Sequence, residues 1–351
     1  MLTTRLSRTI QVVALPTLCI GAVARSAHAQ RNAACAVPAT ANSVGTSHVV
    51  DLRTGAHDVV VNGVRLWYCV AGHRLAGVPP VLFLHGGPGY NSYSFAALAG
   101  PRLERGLRMI YLDQRGSGHS ERPWTRHYQL DTLVADVDAF RAALGVPKLA
   151  VIGHSFGGTL ALEYAAAHPD RVSRMVVVSG AADMPAACHA RVTWIAAHYP
   201  TELARARARA ATDTSPAARA DCALAFSALT GDSLMSYNNA VMFPDSSLRI
   251  RQDSVDAASG LRNTGELSRA QLGGSLLTYR FVRADRLTMP VLVLAGRFDS
   301  AIGMEQQRAL ASRIPRPRLV EFEHGGHFLY LDEPDRFAHE VITFLTGPGS
   351  H

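Results

Sequence analysis

Ser155 lies between two glycines in Gly153-His154-Ser155-Phe156-Gly157, directly after an apolar run and before the helix-forming stretch TLALEYAAA. A strand that turns sharply into a helix there lifts the serine side chain above the sheet and aims the helix's first N–H groups at the same point. A serine hydroxyl is a weak nucleophile at neutral pH, so the chemistry needs a base and an acid that orients it. Two later strand-like runs deliver them: MPVLVLAG is followed by Asp299, and RLVEFE by His327 beyond two glycines. The order serine, aspartate, histidine, each at a strand's end, makes Ser155, Asp299 and His327 a candidate triad for acyl transfer. Asp332 and Asp335 compete for the acid role but read as helix-start residues, and His324 lies before the Gly-Gly turn.

Acyl transfer also needs two backbone donors for the developing oxyanion. Phe156, next to the nucleophile, supplies one N–H. The other is assigned to Gly87, in the loop His85-Gly86-Gly87-Pro88-Gly89 that follows VLFL. That loop does not read as a phosphate cradle, because no lysine follows it at the required spacing.

These residues have to be held by a scaffold, and the scaffold is legible. HDVVVNGVRLWYCVAG reads as two strands joined by a tight turn at Asn62-Gly63. PPVLFLHG, LRMIYLD, KLAVIGH, RVSRMVVVSG, MPVLVLAG and RPRLVEFE follow as short runs, most of them almost continuously apolar, as strands buried on both faces are. Helical stretches at 129–144, 156–168, 302–313 and 333–346 lie between or after them, the signature of a mostly parallel sheet with helices on both faces. The alternation breaks at residues 181–285, where Ala- and Arg-rich helical patches predict a lid over the strands' C-terminal ends. The core is then 57–180 together with 286–351.

The chain has 351 residues and 48% hydrophobic content, ample for one large domain with an insertion. Its net charge of +7 comes almost wholly from arginine, with Lys148 the single lysine, and the arginines form no stripe. A nucleic-acid partner is therefore not expected. Residues 1–29 read as a signal peptide: Arg5 and Arg8 precede the apolar run Ile10–Ala24, and Ala27-His28-Ala29 offers a cleavage site. The run is too short for a stable membrane span and contains Pro16. Export is thus expected, and losing the segment's three arginines takes the charge from +7 to +4. Residues 30–56 read as a flexible lead-in. Four cysteines remain in the mature chain, and of three pairings Cys188 with Cys222 is favoured, both lying in the lid, with Cys35 and Cys69 the second choice. Their spacing fits no zinc pattern, and nothing implies a metal or an organic cofactor.

HGGPG at 85–89 and DQRGSGHS at 113–120, with the elbow, resemble the α/β-hydrolase superfamily over residues 57–346, and within it the prolyl aminopeptidases. The resemblance implies an α/β-hydrolase fold with a helical lid and an oxyanion donor from the first segment. It makes His85, Gly86, Pro88, Gly89, Asp113, Gln114 and Arg115 structural supports of the site. It also implies lid carboxylates for a substrate's free amine, for which Asp245, Glu202 and Glu266 are the candidates. The chain departs from that family at the elbow, where His154 and Phe156 replace the usual glycine and tryptophan, a variant common among esterases. The expected activity is an exported serine hydrolase, a prolyl-type aminopeptidase on short peptides or else a carboxylesterase on small acyl esters. A catalytically silent binding protein is a third reading, opposed by the presence of all three triad members.

Overall fold

A computed structural model describes residue 35, residues 52–213 and residues 220–347. The expected signal peptide therefore lies outside the described residues, as does most of the lead-in. Among the described residues, eight strands form one sheet in the order β1-β2-β4-β3-β5-β6-β7-β8. They are β1 Gly55–Val61, β2 Val64–Gly72, β3 Val81–Leu84, β4 Arg108–Leu112, β5 Leu149–His154, β6 Val172–Val178, β7 Val291–Gly296 and β8 Pro317–Phe322. The β1–β2 hairpin turns at Asn62 and Gly63, whose positive φ values of 49° and 73° suit a two-residue turn of the primed type. β2 pairs antiparallel with both β1 and β4, and every remaining pairing is parallel.

The central strands are buried end to end, as their continuous apolar runs require. One apolar cluster, including Leu82, Val151, Leu160 and Phe140, lies against helices Leu130–Ala143 and Phe156–Ala167. The other, including Phe83, Phe95, Ile152 and Phe337, lies against helices Tyr93–Leu98 and Pro334–Thr346. Between β6 and β7 the chain leaves the sheet, and the described residues there form six helices, from Met184–His198 to Glu266–Leu272, before two short 3₁₀ turns return it. Among the described residues, no helix is long and apolar enough to cross a membrane.

One ion pair ties the hairpin, β4 and a flanking helix together. Arg115 is 4% exposed and its guanidinium forks onto Asp136, with Nη2 2.6 Å from Oδ1 and Nε on Oδ2. Asn62 at the hairpin turn donates to the same carboxylate at 3.0 Å, and the His127 carbonyl accepts from Arg115. Removing one partner strands a buried charge. Asp136→Ala is expected to cost about 3–5 kcal/mol, measurable by urea denaturation, whereas a loss under about 1 kcal/mol contradicts this role.

Candidate active site

The elbow is built by backbone contact too close for side chains. A Cβ on Gly157 would lie 2.0 Å from the Leu84 carbonyl oxygen, and one on Gly153 would lie 2.3 Å from that of Gly157. Ser155, at the apex between β5 and helix Phe156–Ala167, takes φ 54° and ψ −120°, a region that costs a non-glycine residue about 1–3 kcal/mol. The turn is nonetheless anchored. The Ser155 N–H donates to the Val178 carbonyl at 3.0 Å, and the Ser155 carbonyl accepts from Gly158 at 2.8 Å. Strain held in place at the start of a helix is what a projecting nucleophile requires.

β7 and β8 bring the other two residues to the same end of the sheet. His327 Nδ1 and Asp299 Oδ2 are 3.0 Å apart, and both residues are buried. The other Asp299 oxygen accepts N–H bonds from Ala301 at 3.0 Å and Ile302 at 3.1 Å. Burial by itself raises the Asp299 pKa, but the neighbouring His327 and these hydrogen bonds outweigh it and hold the carboxyl below its ordinary value. The His327 backbone is fixed on both sides. Its N–H donates to the Met242 carbonyl of the lid at 3.0 Å, and its carbonyl lies 2.9 Å from His154 Nε2. Burial, with His327 adding to it, pushes the His154 pKa down to about 3, so this ring is neutral and its Nε2–H is the donor. The elbow residue before Ser155 thus positions the histidine loop. Asp332 serves that loop too, accepting the Gly326 N–H at 2.7 Å, and is no rival to Asp299.

Phe156 opens its helix, so its N–H has no partner within it. Gly87 lies opposite on the cavity wall with φ 120°, where a Cβ would come within 2.7 Å of the Gly89 and Tyr90 nitrogens. The loop around Gly87 hangs on His85. Gln114 donates its backbone N–H to His85 Nε2 at 3.1 Å and its side-chain amide to the His85 carbonyl at 2.8 Å. His85 Nδ1 therefore carries the proton and donates to the Gly86 carbonyl at 2.9 Å, and burial keeps the ring neutral by lowering its pKa. Asp113 is buried beneath, accepting from the Ser92 N–H and hydroxyl and from the His119 N–H, each at 2.8 Å. Pro88 lines the cavity, and Gly89 approaches Leu267 and Ser268 of the lid.

Two cavities meet at Ser155 and His327. The inner one, about 170 Å³, runs beneath the lid and is lined mainly by apolar residues such as Met184, Leu272, Leu276 and Ile302, together with Arg191. The outer one, about 280 Å³, carries Tyr90, Arg249, Gln252, Asp253 and Asp256. None of the three carboxylates expected to hold an amine lines either cavity. Asp245 caps helix Ser246–Ser259 by accepting the Ser247 N–H at 2.8 Å. Glu202 and Glu266 occupy half-buried first-turn positions, where a negative charge faces the helix dipole. The acid that does border the outer cavity close to the core is Asp256, which accepts from Ser94. Its place at the end of the spacing Asp253-x-x-Asp256 on a helix is the signal the sequence offers for it. Disulfides join Cys188 to Cys222 within the lid and Cys35 to Cys69 at β2.

The chain belongs to the family of the alpha/beta hydrolase fold, whose pattern it matches over residues 79–334, and it is a hydrolase of that family. It is 30% identical over 268 residues to the 2-hydroxymuconate semialdehyde hydrolase of Pseudomonas sp. strain CF600, covering 76% of this chain and 86% of that one. It is 26% identical over 274 residues to a proline iminopeptidase of Heyndrickxia coagulans, covering 77% and 91%. The crystal structure of a proline iminopeptidase-related protein from Thermus thermophilus superposes with a TM-score of 0.65 at 25% identity, covering 85% of this chain and 99% of that one.

Proposed function

We propose that this hydrolase is an exported serine hydrolase working by acyl transfer. The observation that carries the reading is the convergence of Ser155, at a strained elbow, with His327, itself paired to Asp299, on the wall of one cavity. His327, with its Nδ1 proton committed to Asp299, accepts the Ser155 proton at Nε2 as the hydroxyl attacks a carbonyl. The Phe156 and Gly87 N–H groups hold the oxyanion, the leaving group takes the proton from His327, and water then releases the acyl group by the same path reversed. Export is supported by the basic and apolar leader of residues 1–29 and by two disulfides, which suit an oxidising compartment.

For the substrate, the small apolar inner cavity supports a carboxylester with a short acyl chain. An ammonium bound there would meet the Arg191 cation and no carboxylate. A second reading, a prolyl-type aminopeptidase, draws on Asp256 in the outer cavity and on the similarity to proline iminopeptidases. Rates on p-nitrophenyl butyrate, Pro-β-naphthylamide and its N-acetylated form separate the two. Ester cleavage with neither amide touched is the expected result. Cleavage of the free-amine amide alone reverses the order of the readings.

A further inference from the structure

Arg191 is the inner cavity's unexplained feature. It projects from helix Met184–His198 into the chamber that holds Ser155 and His327, and its Nε is buried with no hydrogen-bond partner. Among the described residues it forms no ion pair either. The residues outside that set add a single acidic side chain, Asp51. The guanidinium carbon lies over two rings, 4.2 Å from the Tyr237 centroid and 4.8 Å from that of Phe226. Stacking on aromatic faces offsets part of the cost of burying the charge but satisfies none of its N–H donors. An arginine stays charged under such conditions, although burial lowers its pKa. A buried unsatisfied group of this kind calls for an explanation.

The lid also fixes where this cation sits. Cys188, three residues earlier on the same helix, is bonded to Cys222 on helix Asp221–Ser227, which carries Phe226. His189 Nδ1 and Asp221, on the same two helices, are 2.7 Å apart. The two helices that supply the guanidinium and one of its rings are therefore clamped together covalently. Such preorganisation lowers the ordering cost of binding.

We propose that Arg191 receives a carboxylate carried by the part of the substrate that fills the inner cavity, so that the enzyme selects short anionic substrates over their neutral isosteres. This rests on the serine-hydrolase reading above and adds to it the charge of the substrate. The planar fork of a guanidinium matches a carboxylate in two parallel hydrogen bonds, and the apolar remainder of the chamber accepts the hydrocarbon between that group and the scissile carbonyl. A chamber of about 170 Å³ is close to one that holds a benzene ring, so the enclosed part has roughly five to seven heavy atoms.

The test uses the mature full chain with pentanoate and its neutral isostere pentanamide, titrated by calorimetry at millimolar concentration and, in parallel, as protectants of Ser155 against a fluorophosphonate. Pentanoate is expected to bind wild type about tenfold or more tighter than pentanamide and to slow labelling, as a charge-assisted fork predicts. Arg191→Gln is expected to abolish that preference, and Arg191→Lys to keep part of it. Equal or better binding of the amide by wild type overturns the proposal, as does a preference that survives in Arg191→Gln. If Arg191→Gln does not fold, the wild-type comparison decides alone. Failure of the serine-hydrolase reading looks different, because absent labelling leaves the calorimetric preference intact.

Discussion

Ser155→Ala is expected to lower kcat on p-nitrophenyl butyrate by about 10⁵-fold or more while leaving the protein folded, since removing the nucleophile of a triad disables the unit as a whole. Residual turnover should come from the Phe156 and Gly87 donors acting on water attack. The fold should tolerate the change for a local reason. The elbow is held by backbone bonds of Ser155 to Val178, Gly158 and Thr159, which alanine keeps, and serine already bears the strain of a positive φ. A thermal midpoint close to wild type with activity gone is the predicted pair of results. A loss of less than about a hundredfold contradicts a nucleophilic role for Ser155.

Asp299→Asn should cost about 10⁴-fold in kcat by a different route. The carboxylate oxygen that faces Ala301 and Ile302 accepts two backbone N–H bonds, so the amide oxygen of asparagine should take that place. Its NH₂ then faces His327 Nδ1 and must donate to it. That leaves the His327 proton on Nε2, the wrong nitrogen for accepting one from Ser155. The burial and bonding of residue 299 are otherwise preserved, so stability should change far less than activity. A tenfold loss or smaller would mean that Asp299 does not set the tautomer.

The sequence pattern and the fold agree where local chemistry leaves little choice. The strands read from continuous apolar runs lie in the sheet, and the Asn62-Gly63 hairpin turns where the dipeptide demands. The elbow is legible because a Cβ at Gly157 or Gly153 would fall 2.0 or 2.3 Å from a backbone oxygen, an approach that no other residue type permits. The lid is legible as helical but not as a surface. Glu202, Asp245 and Glu266 are helix-start residues, a role that acidic side chains fill as readily as ligand binding, and sequence alone does not separate the two uses.

Arg191 and His154 escape sequence reasoning for related reasons. Arg191 is the single arginine of helix Met184–His198, and its position three residues after a buried cysteine places it on the inward face of that helix, but nothing local marks that face as a cavity wall. The role of His154 depends on a hydrogen bond to a residue 173 positions away, which no local pattern encodes.

The most direct measurement is intact-mass analysis of the mature protein after reaction with a fluorophosphonate, followed by peptide mapping. One covalent adduct per chain is expected, located on the peptide containing Ser155 and absent from Ser155→Ala. No adduct on folded protein, or an adduct on another residue that persists in Ser155→Ala, would contradict it.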